Sequence, residues 1–382
     1  MRDMIADATC SGTEKVSGDP LSRVTIMVHT ANRPDQLYRL LRFYAAVPGV
    51  EACTILIADG SDSDNIARFD ALMRSAPFDL NYVLSRFSPD ISFPERLRRA
   101  CSSVTTDYVM LAADDDFYFL DWVRSAVEDL ARRSDTTAIV GNYLIFGLNS
   151  FTAFSDTVSI ADGAPERFAI PWLDGDTAEA RIGELGANPH GIQTIAWYAL
   201  HRTETLTRIF DHGADYDLPV LLFERFFTVA QAASGKTHFS PDIFLARQTD
   251  ANPADRSWRA EPMGLTAQQH GVARLEACAQ AFLSEVLGYD SAQSAAMVAT
   301  AYANEIRMMR QADGRRLLRR IVNRLGVRRW LDAFRQAKPP QNRDPRLPQR
   351  CDPQELHMRG EQVRLACRPK LSEPSVASTS LR

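Results

Sequence analysis

The chain has 382 residues, of which 45% are hydrophobic and 24% charged, and its formal net charge is −4. That is length enough for one large or two modest domains with a real core, and the balance is that of a soluble globular protein. Six cysteines scattered without a CxxC spacing indicate neither a disulfide framework nor a zinc site. The slight acidity gives no support to nucleic-acid binding, and no apolar run has the length of a membrane span.

Residues 1–20 read as a flexible leader that lacks the basic and apolar regions of a signal peptide, so the expected location is cytoplasmic. Residues 24–28 are β-rich. After the loop His29-Thr30-Ala31-Asn32-Arg33-Pro34, Leu37, Leu40, Leu41 and Tyr44 recur at helical spacing behind a proline suited to the first turn. The pattern repeats with a strand at 54–58, the turn Asp59-Gly60-Ser61-Asp62 and a helix at 66–75. A third strand is expected at 81–84, and a helix beginning at 93–100 leads to the apolar run 108–113 and a further helix at 119–133. Strands alternating with helices at short intervals predict an α/β fold, a mostly parallel sheet flanked by helices.

Another strand is expected at 137–140, followed by a loop-rich stretch marked by Pro165, Pro171, Gly175, Gly183 and Gly186. Regular pattern returns at 194–200. Residues 221–232 read as a helix stopping near Gly235, and 241–248 as a last strand that brings Arg247 and Gln248 to its end. Alanine-rich helices occupy 265–310, and 315–334 is a basic amphipathic helix or helix pair broken near Gly326. Such a segment fits either an anionic membrane surface or a packed helix with a solvated arginine face. From Lys338 on, Pro, Arg and Ser dominate and disorder is expected. The organisation is then a leader (1–20), a first α/β half (21–150), a second half (151–260), a helical extension (261–335) and a disordered tail (336–382).

Asp114, Asp115 and Asp116 stand where the apolar run 108–113 ends. Adjacent carboxylates repel, so they call for a cation or for protons, and a strand's carboxyl end is where an open α/β sheet binds ligands. The alternative is an acidic loop capping the next helix. Asp59 of Asp59-Gly60 could equally be an ordinary turn residue, and Arg33 could pair with Asp59 or Asp62. Of the arginines at 96, 98 and 99, at most one or two can face a ligand from a helix.

Taken together, the loop 29–34, the second strand ending Ala58-Asp59-Gly60-Ser61, and Tyr108 through Asp114-Asp115-Asp116 resemble the GT-A nucleotide-sugar glycosyltransferases, within them the inverting family 2 enzymes. The resemblance covers about residues 23–250 and is strongest through Asp116. It implies a GT-A sheet with a C-terminal helical extension, residues 21–150 holding the donor and 151–260 the acceptor and the catalytic base. It further implies transfer of a sugar from a nucleoside diphosphate sugar to a hydroxyl acceptor, in surface glycan or glycoconjugate synthesis, aided by Mn²⁺ or Mg²⁺. Asp114 and Asp116 match its DxD metal pattern, Asp114 or Asp115 the ribose contact, and Asp59 the nucleobase acceptor, with Gly60 letting the backbone approach the ring. Thr30 and Arg33 match the nucleotide cradle, and Arg98 is carried as the diphosphate arginine.

The family's base is the first residue of a Glu-Asp pair about a dozen residues before a glycine, which here gives Glu224, although Arg225 replaces the Asp. Asp217 or Asp215 is the alternative base. His238 and His270 could complete a metal sphere, and Trp172, Trp197 and Trp258 could stack on an acceptor sugar. The competing functions are a nucleotidyltransferase of related topology, disfavoured because the loop 29–34 has no glycine, and a carbohydrate-binding protein on a transferase-like fold.

Overall fold

The computed structural model describes residues 18–148, 153, 155, 158–162, 173–187, 194–248, 265–303 and 352–368. The leader over 1–17, the basic segment 315–334, Trp172, Trp258 and the side chain of His270 lie outside the described residues. The strands are β1 (Val24–Thr30), β2 (Thr54–Asp59), β3 (Val83–Arg86), β4 (Tyr108–Ala113), β5 (Phe117–Tyr118), β6 (Thr136–Gly147), β7 (Ser159–Asp162), β8 (Leu200–Arg202) and β9 (Lys236–Gln248). They form one sheet of order β3-β2-β1-β4-β8-β6-β9-β5, with β7 paired to β6. β1, β2, β3, β4, β6 and β9 run one way and β5, β7 and β8 the other. This is the expected α/β sheet, with β8 inserted antiparallel between β4 and β6.

The inner strands are buried on both faces, which is why they read as unbroken apolar runs rather than alternating ones. Helices α1 (Pro34–Ala45), α2 (Ser63–Ser75), α3 (Phe93–Cys101), α4 (Leu120–Arg132), α5 (Ala178–Ala187), α6 (Thr203–Ala214) and α7 (Val220–Ser234) flank it. α1 packs on α2, α3 on α6, and α7 on α5, α6 and α8 (Leu265–Leu287). Gly288, at φ 68°, ends α8 before a further helix α9 over 291–303. Among the described residues no helix is long and apolar enough to cross a membrane.

Several expectations are corrected. The third strand lies later, at Val83–Arg86, and β6 and β9 are longer than their apolar centres, because sheet pairing carries the polar ends with it. The loop-rich stretch contains α5, where Gly186 lets the helix backbone approach the Thr300 carbonyl: a Cβ there would stand 2.0 Å from that oxygen. Gly186→Ala is therefore expected to cost about 1–3 kcal/mol, as overpacking does. Gly183, with nothing within 4 Å of its Cβ position, should instead gain about 0.5–1 kcal/mol on becoming Ala. Denaturant midpoints of the two variants moving in the same direction would contradict this packing.

The tail is not disordered throughout. α10 (Pro353–Cys367) is capped by Asp352, whose carboxylate accepts from the Gln354 N–H at 2.9 Å. It buries Val363, Ala366 and Cys367. Its Arg359 pairs with Asp121 at 2.6 Å and lies over the Phe119 ring at 4.5 Å. These few apolar positions at helical spacing are diluted by the composition of the tail as a whole. Cys53, Cys101 and Cys278 are buried free thiols, and Cys367 is buried.

Candidate active site

In the parallel order β2-β1-β4 the connection reverses direction at β1, and the ligand crevice of such a sheet opens at the carboxyl ends beside that point. Register places Thr30 opposite Asp59, and His29 opposite Ala113, so the residues leaving β1, β2 and β4 meet at one edge. The loops are stitched together. Asn32, in the left-handed region at φ 59°, donates its N–H to Ser61 Oγ at 2.8 Å and accepts from the Asp62 N–H at 2.9 Å. Asp59 is buried, and its Oδ1 accepts from the Ser61 N–H at 2.9 Å.

The three aspartates are nearly sealed, at 2%, 7% and 2% exposure for Asp114, Asp115 and Asp116. They do not cap α4, where no side-chain cap bond is made. Thr30 donates to Asp114 Oδ2 at 2.6 Å, and Arg33 holds Asp114 Oδ1 at 2.7 Å and Asp115 Oδ2 at 2.6 Å. Arg33 thus forms salt bridges, but with the aspartates rather than with Asp59 or Asp62. Asp116 Oδ1 accepts the Gln248 N–H at 3.2 Å, and the buried Arg39 donates to Gln248 Oε1 at 2.7 Å.

Burial works against the Asp115 anion, yet the Arg33 guanidinium, with Arg39 and Arg247 behind it, holds its carboxyl below the usual range. Burial and the adjoining Asp115 charge push Asp116 up to about 8. Burial, with Arg96 adding to it, pushes the His29 imidazole down to about 3.

Helix phase selects the arginine. Arg98 and Arg99 turn outward onto Glu95, at 2.6 Å each, so the structure does not bring Arg98 to the site. Arg96 faces inward and is 8% exposed. Its guanidinium fills the space a side chain at Gly60 would need, with Nη1 only 1.5 Å from the Cβ position there. The missing side chain of Gly60 thus admits Arg96, whereas the sequence pointed to backbone approach to a base. Arg96 lies in the fields of Asp59 and Asp114, and burial lowers its pKa. It makes no side-chain hydrogen bond among the described residues, leaving Nε buried and unpartnered.

On the other side of the aspartates, the guanidinium of Arg247 at the end of β9 lies over the Tyr198 ring at 4.8 Å. Burial opposes its charge, but Tyr198, Asp116 and Glu224 hold its pKa raised. Glu224, near the start of α7, is half-buried and takes no side-chain hydrogen bond among the described residues. Burial raises its carboxyl above the ordinary range, and Arg247 and Arg225 oppose that. Asp217, at φ 43°, is exposed in the turn before α7, and its side chain makes no polar contact among the described residues. Asp215 is likewise exposed at the end of α6. His238 lies near the other end of β9, 3.5 Å from Asp129, and Trp197 is a core residue packed against Phe227 and Phe93.

Sequence reasoning missed Arg39, because a buried cation in the apolar stripe of α1 is read as a surface residue until its partners are known.

Hard oxygen donors fit a divalent cation. Asp116 Oδ2 and Asp115 Oδ1 take no hydrogen bond among the described residues, while both Asp114 oxygens are engaged. Among the described residues no group of three or more His, Cys, Asp or Glu is arranged to hold a metal. A cation held by one or two of these carboxylates would need substrate phosphates to complete its coordination.

No protein-family model matches the sequence, and none of the curated proteins matches it. Among solved structures, the chain is similar to TarS 1–349 of S. aureus in complex with UDP-GlcNAc, at 13% identity and TM-score 0.49, covering 74% of this chain and 72% of that one. It spans only 43% of a longer form of TarS, at 15% identity, TM-score 0.43 and 74% coverage of this chain. It is also similar to the mannosyltransferase PcManGT from Pyrobaculum calidifontis in complex with GDP-Man and Mn²⁺, at 17% identity and TM-score 0.41, covering 79% of this chain and 83% of that one.

Proposed function

We propose that this chain is a metal-dependent GT-A glycosyltransferase, moving a sugar from a nucleoside diphosphate sugar to a hydroxyl acceptor with inversion. The observation that carries the reading is the buried Arg96 side chain, which makes no hydrogen bond among the described residues and lies in the fields of Asp59 and Asp114. A buried guanidinium whose Nε is sealed and unpaired is costly, and its Nη groups, which reach the crevice without a protein acceptor among the described residues, suit an anion. A diphosphate fits the guanidinium fork and places the nucleoside toward Asp59 and the sugar toward Glu224.

In this arrangement Asp59 accepts from the nucleobase through Oδ2, its Oδ1 being held by Ser61. Asp116, joined by Asp114 or Asp115, would hold Mn²⁺ or Mg²⁺, which would supply positive charge against the leaving diphosphate. Thr30 fixes the Asp114 carboxylate. Glu224 removes the acceptor proton from the far side of the sugar, with Arg247 in the field of both Glu224 and Asp116. A role in surface glycan or glycoconjugate synthesis follows from the family resemblance alone, as does an acceptor that is a glycan, lipid-linked or protein hydroxyl.

A panel of nucleotide sugars with Mn²⁺ tests the reading by the rise in melting temperature each produces. At least one should raise it; no rise with any uridine, guanosine, adenosine, cytidine or thymidine sugar at millimolar concentration contradicts the assignment. Asp59→Ala should then weaken that nucleotide about tenfold, the worth of about 1.4 kcal/mol, and leave its dependence on metal unchanged. Unaltered affinity would return Asp59 to a turn residue.

A further inference from the structure

Three consecutive carboxylates cannot share a dry edge without a counter-charge, and here that charge comes from the protein. Arg33 closes the loop after β1 and precedes α1, its side chain 18% exposed, and it spans Asp114 at 2.7 Å and Asp115 at 2.6 Å. With Thr30 on the second oxygen of Asp114, the aspartate that forms the alternate-residue pair with Asp116 has both oxygens engaged. A divalent cation recruiting Asp114 must take an oxygen from one of the two. Thr30 is a buried strand residue on a short side chain. Arg33 is a long side chain at a loop end, and its guanidinium would repel the incoming cation.

We infer that Arg33 is a resident counter-cation of the aspartate cluster, which yields Asp114 to the divalent metal and passes its guanidinium to the donor diphosphate. The inference rests on the donor-site reading above and adds an order to it. Metal alone meets a cluster already neutralised, whereas metal with nucleotide brings the anion that Arg33 needs once it leaves. Metal and nucleotide are therefore coupled through Arg33, each strengthening the other.

The test titrates Mn²⁺ into the full chain, without and then with UDP and GDP, following free Mn²⁺ by electron paramagnetic resonance. Arg33→Gln removes the charge and keeps a polar side chain, and Arg33→Lys keeps the charge but cannot span two carboxylates. Arg33→Gln is expected to bind Mn²⁺ alone at least tenfold more tightly than the parent, with Arg33→Lys between them. The gain that nucleotide brings to Mn²⁺ affinity should be smaller in both variants than in the parent. Equal Mn²⁺ affinity in the parent and both variants overturns the inference, and if Arg33→Gln does not fold, equality of parent and Arg33→Lys does so. Adding Asp116→Asn separates the two claims. If it abolishes Mn²⁺ binding while the Arg33 variants match the parent, the donor site stands and the counter-cation falls. If Asp116→Asn leaves Mn²⁺ binding unchanged in every background, the donor-site reading itself falls.

Discussion

Glu224→Gln leaves donor affinity intact and lowers sugar transfer by about 10²- to 10⁴-fold, the usual worth of a general base. Glutamine keeps the shape of the side chain and removes the basic oxygen. The expectation rests on the placement of Glu224: half-buried near the start of α7, without a hydrogen-bond partner among the described residues, and in the field of Arg247. Because burial raises its carboxyl, the acid limb of kcat/KM should lie above the ordinary glutamate range, activity rising with pH as Glu224 loses its proton. Arg247→Gln removes an opposing positive charge and should move that limb further up. Rates are read from single-turnover transfer, so that product release does not mask the chemical step. Parent-like transfer by Glu224→Gln, with loss in Asp217→Asn or Asp215→Asn, would place the base in the turn before α7.

Asp116→Asn abolishes metal-dependent donor binding, weakening nucleoside diphosphate in the presence of Mn²⁺ by about 10²-fold, to the level seen with chelator. The variant should fold, because an asparagine Oδ1 still accepts the Gln248 N–H. It should also be the more stable protein near neutral pH. A carboxyl pushed up to about 8 in the folded state binds a proton that the unfolded chain has already released. It therefore subtracts stability as pH rises from the ordinary carboxylate range towards that value. The advantage of Asp116→Asn in melting temperature should shrink as pH falls through the ordinary aspartate range, below which the parent is protonated both folded and unfolded. Higher stability with lost metal dependence is a pair of effects that general damage to the fold does not produce. A variant that loses stability and keeps metal-dependent binding would remove Asp116 from the metal.

Much of this edge was legible in the chain because strand ends announce themselves. An apolar run that stops at Asp114, or at Asp59 before a glycine, can deliver those carboxylates only to the carboxyl end of a parallel sheet, and Arg247 follows by the same logic at the end of β9. Helix phase was not legible. Choosing Arg96 over Arg98 requires knowing which face of α3 meets Gly60, and the nearby Glu95 that draws Arg98 and Arg99 away is visible in the sequence only as one acid among many. The partner of Arg33 was wrong for a related reason: β1 lies between β2 and β4, and while Asn32 bonds the loop after β2, the Arg33 side chain reaches the aspartates after β4. Glu224 came from resemblance, because a carboxylate on an apolar helix has no local signature. α10 escaped notice because Val363, Ala366 and Cys367 lie within a stretch whose average composition is polar.

The central claim is that a nucleoside diphosphate and its metal share the edge bounded by Asp59, Arg96 and Asp116. An anomalous difference map from crystals grown with Mn²⁺ and the nucleotide that most raises the melting temperature tests it most directly. The account predicts one Mn²⁺ peak within about 2.0–2.6 Å of an Asp116 carboxylate oxygen, with diphosphate density against Arg96 and the base beside Asp59. Nucleotide density away from the carboxyl ends of β1, β2 and β4, or an Mn²⁺ peak without contact to the aspartates, would contradict it.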